Sequence, residues 1–127
     1  PEGSIVSIMY AVPGVKGVEF GAGFRLADMH GSDANDGIRI KDGKIAFESN
    51  NSGGINGGMA NGAPVLLRVA FRPTPSITQP QHTVNLRELQ NARITVGGRH
   101  DSCIALRGLA AVEAALCLGI LNCMEGL

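Results

Sequence analysis

The segment 97–103, Gly-Gly-Arg-His-Asp-Ser-Cys, holds the densest group of side chains in this sequence that could do chemistry. It joins a predicted strand to the start of a predicted helix, and the unpaired backbone N–H groups of a helix start favour an anion. Arg99 would add a formal positive charge, and His100 and Asp101 could act as acid or base. The alternative is a capping turn in which Asp101 or Ser102 begins the helix.

Arginine is concentrated in the middle of the chain. Residues 51–100 contain five arginines, no lysine and a single acid, Glu88, so the local charge is +4. Arginine binds carboxylate and phosphate groups through two parallel hydrogen bonds. The segment therefore predicts an anion site for a phosphorylated or carboxylated small molecule, although these side chains could instead be solvated on strand faces. The arginines are Arg68, Arg72, Arg87, Arg93 and Arg99.

Length and composition exclude several classes of protein. The 127 residues fit one domain, and 44% hydrophobic residues are too many for a disordered chain. Eleven basic and eleven acidic residues give a net charge of zero, which argues against a nucleic-acid partner. The longest apolar run is broken by Arg107 and Glu113, so we expect no membrane span.

The three cysteines, Cys103, Cys117 and Cys123, all lie in the last 25 residues. An odd number within one apolar helical pattern is not a disulfide framework, and no second pair has the spacing of metal ligands. We therefore expect no metal site, and we expect buried, reduced thiols in a cytoplasmic protein.

Local patterns predict a chain of short strands followed by one long helix. The helix, from residue 103 to about 124, is apolar nearly all round, so we expect it to be buried on several sides, between layers or between subunits. The Gly-rich stretch 49–62 is interpreted as a tight loop entering a short helix. Strands are predicted at 15–20, 38–40, 44–47, 64–72, 83–86 and 92–96, and a stiff Pro-rich loop at 73–80.

Three segments, taken together, resemble the C-terminal part of chorismate synthase. They are 49–58 (Ser-Asn-Asn-Ser-Gly-Gly-Ile-Asn-Gly-Gly), 72–77 (Arg-Pro-Thr-Pro-Ser-Ile) and 98–103 (Gly-Arg-His-Asp-Ser-Cys), the last followed by Arg107 and Glu113. The resemblance extends in order over essentially the whole chain. It implies an α+β fold of the family's β-α-β sandwich type, with a mostly antiparallel sheet packed on a long apolar helix.

The resemblance also implies an activity. Chorismate synthase is a lyase of the shikimate pathway that eliminates phosphate from 5-enolpyruvylshikimate 3-phosphate, and it requires reduced FMN although the reaction has no net redox change. The family forms homotetramers, so we expect this chain to be part of a homo-oligomer. A flavin supplies the difficult chemistry, and the protein binds and orients it.

Residue roles follow from the matched motifs only. Asp101 matches the carboxylate thought to manage the proton at flavin N5, Arg99 contacts both flavin and substrate, and Arg107 stands where a substrate anion is bound. Arg72 occupies a position where the family commonly has Lys. The predicted FMN-binding residues are Pro13, Gly14, Gly57, Arg72, Pro73, Thr74, Pro75, Ser76 and Arg99.

Two segments typical of the family's N-terminal part, Gly-Glu-Ser-His and Arg-Ser-Ser-Ala-Arg-Glu, do not occur in residues 1–127. They supply histidine acids and substrate arginines in the family. We therefore expect residues 1–127 to form one domain, a C-terminal fragment that is inactive when isolated. The alternative is a non-catalytic module that keeps the fold for flavin binding or self-association.

Overall fold

Short antiparallel strands are framed by two longer helices in the computed structural model, which describes residues 1–125. The elements are α1 (Glu2–Tyr10), β1 (Val15–Phe20), a 3-10 helix (Gly23–Asp28), α2 (Gly31–Ala34), β2 (Ile38–Lys41), β3 (Lys44–Phe47), β4 (Ile55–Asn56), β5 (Met59–Ala60), β6 (Leu67–Phe71), β7 (Gln81–Asn85), β8 (Gln90–Ile94) and α3 (Ala105–Glu125).

Within residues 1–125 the strands form four separate two-stranded antiparallel sheets: β1–β6, β2–β3, β4–β5 and β7–β8. The α+β class is therefore confirmed, but the strands do not join into the single sheet that we expected. Three of the four pairs are hairpins between neighbouring strands. Among the described strands, only β1–β6 joins distant parts of the chain, with Val18 opposite Val69 and Phe20 opposite Leu67.

Turn chemistry accounts for two of the hairpins. In the β2–β3 turn, Asp42 and Gly43 have φ angles of 53° and 73°, which suit the tight turns whose twist matches paired strands. Gly57 and Gly58 play the same part between β4 and β5, with φ angles of 55° and 81°. The predicted short helix within 49–62 is thus wrong, because the Gly57-Gly58 pair closes a hairpin instead.

The core is small and lies where α1 crosses α3. Ile5, Met9 and Ala115 are buried there, with side chains of the β1–β6 sheet packed around them. Gly119 allows the close approach of the two helices, since a Cβ at this position would lie 3.1 Å from the Cα of Ile5. Helix α1 is thereby fixed between α3 and the sheet.

The long helix α3 is much more exposed than its sequence predicts. Leu106 and Leu109 are 79% and 67% exposed, and Leu118 and Leu121 are also exposed. The expectation that this helix is buried on several sides is therefore wrong for this chain, because residues 1–125 cover only the side that faces α1 and β1–β6. The accessible surface of 9509 Å² exceeds the roughly 6,400 Å² usual for a folded monomer of this size.

Length and composition alone would allow α3 to cross a membrane. Its residues Ala105–Met124 are long and apolar enough to do so even with Arg107 and Glu113, and most of this stretch is not buried. Core helices of soluble proteins meet the same criterion. The absence of a membrane partner stays a prediction.

The cysteines differ from expectation in their surroundings. Cys103 and Cys117 are exposed and Cys123 is half-buried, and all three are unpaired. The prediction of buried thiols is therefore wrong for this chain, for the same reason that α3 is exposed: nothing in residues 1–125 covers its outer side.

Asp36 ties the loop before β2 to the Gly-rich loop before β4. Its carboxylate accepts hydrogen bonds from Ser49 Oγ at 2.7 Å, Asn51 N at 2.6 Å and Ser52 N at 2.8 Å. Burial alone would raise the pKa of Asp36, but the hydrogen bonds from Ser49, Ser52 and Asn51 outweigh it and lower the pKa to about 2. The Asn51 carbonyl in turn accepts the N–H of Ala22 at 2.8 Å, so the loop is held against the end of β1.

We expect Asp36→Asn to destabilise the fold by about 1–3 kcal/mol, because it weakens the charge-assisted hydrogen bonds that join the loop before β2 to the Gly-rich loop. The folded-state pKa of about 2 lies below the usual 3.8, so the contribution of Asp36 is present above pH 3.8 and is lost as the pH falls towards 2. Urea unfolding at pH 7 and pH 3 measures both effects. The control is Asp33→Asn, whose carboxylate is exposed; equal losses in the two variants would contradict the role of Asp36.

We expect the chain to self-associate at micromolar concentration through the uncovered side of α3, because its exposed leucines form an apolar surface. Leu106→Gln with Leu109→Gln should weaken the association, whereas Leu86→Gln, a matched change at an 80% exposed leucine in the β7–β8 turn, should not. Sedimentation velocity measures the association. A monomer whose melting temperature is independent of protein concentration would contradict it.

Candidate functional site

Two loops that are distant in sequence meet to form one cavity. The Pro-rich loop after β6 and the loop before α3 together line a volume of about 630 Å³, within the usual range for small-molecule sites. The predicted residues brought together here are Pro73, Thr74, Ser76, Arg99 and Asp101. The other lining residues are Ile77, Thr78, Gly98, His100 and Ser102.

The first loop is anchored where β6 ends. The backbone N–H of Arg72 donates to the carbonyl oxygen of Gly14 at 2.8 Å, which brings two predicted cofactor residues together through their main chains. Gly14 has a φ angle of 91°, and a Cβ there would lie 2.9 Å from Ile104 Cδ1. Glycine is therefore required at the point where the start of β1, the end of β6 and the approach to α3 meet.

Proline stiffens the same loop, since each ring fixes φ and removes a backbone donor. The carbonyl oxygen of Pro75 accepts a hydrogen bond from Gln81 Nε2 at 3.2 Å, which ties the loop to β7. One polar atom is left over: Thr74 Oγ1 is buried and has no hydrogen-bond partner within the described part of the chain. Such an orphan is costly, and a bound molecule with a suitable donor or acceptor would satisfy it.

The second loop reaches α3 later than predicted. The carbonyl oxygen of Ile104 accepts the N–H of Gly108 at 2.9 Å, so Ile104, and neither Asp101 nor Ser102, occupies the capping position. The prediction of a helix beginning at Cys103 is corrected to Ala105. The Asp101 carboxylate is consequently not consumed in capping the helix.

Asp101 pairs with Arg107 instead. Arg107 Nη2 lies 3.1 Å from Asp101 Oδ1, with the two side chains 80% and 41% exposed. Asp101 lines the cavity and Arg107 does not, so the arginine holds the carboxylate from outside the cavity. His100 is also engaged: its Nε2 lies 3.1 Å from the carbonyl oxygen of Gly97, which folds the ring back onto its own turn.

The arginines of the middle segment have different fates. Arg68 pairs with Glu19 at 2.8 Å and donates to the carbonyl oxygens of Gly21 and Ala22, so it is structural. Arg87 and Arg93 are exposed on the β7–β8 hairpin. Of the five, Arg99 is the one that lines this cavity. Fewer arginines therefore line this cavity than the local charge of +4 suggests.

Several predicted cofactor residues lie outside the cavity lining. Gly57 is in the β4–β5 turn, and no atom lies within 4 Å of the position that its Cβ would take. Pro13 and Pro75 do not line the cavity, and Arg72 approaches it only through the main chain that precedes Pro73. In residues 1–125 no group of three His, Cys, Asp or Glu side chains could hold a metal ion.

Sequence reasoning missed Ile77 and Thr78, which extend the loop wall beyond Ser76. The signal for them was present, because the Pro-rich loop runs on to Pro80. It also missed the anchoring role of Asp36, whose partners Ser49 and Asn51 lie 13 and 15 residues away. No local pattern announces such a contact.

Known proteins match the chain along almost its whole length. The sequence profile described as chorismate synthase matches residues 2–124. The chorismate synthase of Korarchaeum cryptofilum is 53% identical over 94% of this chain, and that of Thermococcus kodakarensis is 49% identical over 91%. The chain spans about a third of the length of these relatives, 33% and 32%.

A solved structure agrees with the sequence relatives. A crystal structure of chorismate synthase superimposes with a TM-score of 0.55 at 41% sequence identity, covering 59% of this chain and 23% of that one. The profile match and the identities to several relatives are well above what is needed to establish common descent. This chain belongs to the chorismate synthase family.

Proposed function

We propose that the complete protein is an FMN-dependent chorismate synthase, which converts 5-enolpyruvylshikimate 3-phosphate to chorismate by anti-1,4-elimination of phosphate. The observation that supports this most is the meeting of two family motifs, 72–77 and 98–103, around one cavity. The β7–β8 hairpin lies between the two motifs, and its open end, where Gln81 pairs with Ile94, brings them side by side.

The residues present fit a flavin. The cavity of about 630 Å³ has room for much of such a ligand, and the orphaned Thr74 Oγ1 offers it a hydrogen bond. We propose that Thr74, Ser76 and Arg99 hold FMN, with the main chain of Pro73 and Pro75 shaping the loop. Reduced FMN, when bound, supplies the transient electron that lets phosphate leave without net redox change.

Two side chains of the cavity have separate roles in this proposal, Arg99 as an anion contact and Asp101 as a proton acceptor. Arg99 presents a guanidinium to the cavity, and it binds the phosphate or carboxylate groups of flavin and substrate. Asp101 presents a carboxylate that accepts and returns one proton at its oxygens. Arg107, which we predicted to contact a substrate anion, makes its described contact with Asp101.

Assembly and location are part of the same proposal. We propose a cytoplasmic homotetramer with no nucleic-acid or membrane partner, and the surface that α3 leaves uncovered supports burial against further protein. The alternative function is a non-catalytic module that keeps the fold for flavin binding or self-association.

The proposal is tested by turnover. We expect the complete gene product to form chorismate from 5-enolpyruvylshikimate 3-phosphate with photoreduced FMN under anaerobic conditions, and residues 1–127 alone to form none. Asp101→Asn in the complete protein should lower kcat by ~10²–10⁴, as loss of a positioned proton-transfer group does. Lack of turnover in the complete protein would favour the non-catalytic module, and turnover by residues 1–127 would refute the fragment's predicted inactivity.

Arg99→Ala in the complete protein should weaken FMN or substrate binding by about 1.5–3 kcal/mol, the scale of a charge-assisted hydrogen bond. Arg99→Lys should recover only part of this loss, because lysine cannot make the planar two-point contact. Separate titrations of FMN and substrate measure it. Arg87→Ala is the matched control on the β7–β8 turn; the same affinities in both alanine variants would show that Arg99 is merely an exposed charge.

A further inference from the structure

Two arginines flank Asp101 in the sequence, Arg99 and Arg107. Arg99 lies two residues before it and lines the same cavity, whereas Arg107 lies in the first turn of α3 and does not line it. The carboxylate forms its ion pair with Arg107, at 3.1 Å between Asp101 Oδ1 and Arg107 Nη2. Within residues 1–125, no carboxylate lies within ion-pairing distance of the Arg99 guanidinium.

This choice of partner decides the charge that the cavity offers to a ligand. A carboxylate paired with Arg99 would neutralise the single guanidinium of the lining and occupy its donors. Pairing with Arg107 engages the carboxylate from outside and leaves the Arg99 donors available to an anion. The Asp101–Arg107 pair is exposed, so it adds little to folding stability and its value lies in placing the carboxylate.

We propose that Arg107 is a positioning residue that holds the Asp101 carboxylate away from Arg99 and so keeps Arg99 open for an anionic ligand. The inference rests on the proposed function in that the ligand is taken to be FMN. It differs from the expectation that Arg107 itself touches a substrate anion, because here Arg107 acts only through Asp101.

The test is a double-mutant cycle on ligand affinity in the complete protein, with oxidised FMN titrated by fluorescence quenching so that no turnover is needed. Arg107→Gln should weaken FMN binding about three- to tenfold, because the freed carboxylate competes for Arg99. Asp101→Asn alone should change the affinity less than about twofold, since the neutral amide does not neutralise Arg99. The double variant should return to the affinity of Asp101→Asn.

Arg93→Gln, which removes one exposed positive charge from β8, controls for the loss of net charge and should leave FMN affinity unchanged. Raising the salt concentration should shrink the effect of Arg107→Gln, because exposed charges are screened. Thermal unfolding is followed in parallel, and Arg107→Met, which keeps the aliphatic stem, replaces Arg107→Gln if that variant does not fold.

Two results would overturn the inference. A double variant that binds as weakly as Arg107→Gln would show that Arg107 touches the ligand directly, and an Arg107→Gln affinity equal to that of Arg93→Gln would show that the pair positions nothing. Failure of the wild-type protein to bind FMN would instead refute the proposed cofactor. The same variants titrated with inorganic pyrophosphate would then decide the positioning role, through the same presence or absence of rescue.

Discussion

The pairing of β1 with β6 is the contact on which the rest of the structure depends, because among the strand pairs of residues 1–125 it alone joins distant segments. One of its faces supplies Val18, Phe20, Leu67 and Val69 to the small core beneath α1 and α3. The end of β6 leads directly into the Pro-rich loop at Pro73. The backbone N–H of Arg72 anchors this loop by donating a hydrogen bond to the carbonyl oxygen of Gly14. Losing this register would therefore disperse both the core and the cavity.

Close approach at glycine links the same sheet to α3. A Cβ at Gly108 would overlap the ring of Phe71, the last residue of β6. Because Gly108 has no side chain, the start of α3 can lie against the end of β6. The loop before α3, with Arg99 and Asp101, therefore lies beside the loop that follows β6. The site is built where helix start and strand end touch.

Charge is distributed by the same geometry. Arg68 forms an ion pair with Glu19 and Arg107 forms one with Asp101, whereas Arg99 lines the cavity. Arginines therefore occupy three different surroundings, an ion pair beside β1 and β6, an ion pair at the start of α3 and the lining of the cavity, according to which element carries them. One side of α3 is apolar and exposed. The chain spans about a third of the length of its relatives, and its residues 1–125 cover only the other side of that helix.

The sequence by itself determined the local elements and the family. Asp42-Gly43 dictated the β2–β3 turn through its positive φ angles, and the motifs at 72–77 and 98–103 located the two loops whose residues line most of the cavity. Only the tertiary structure decided that the strands form separate pairs, that α3 begins at Ala105, and that Asp101 takes Arg107 rather than Arg99. Turn and motif signals are local and depend on neighbouring residues, whereas strand pairing, helix covering and the choice between two ion-pair partners depend on distances between segments that sequence spacing does not fix.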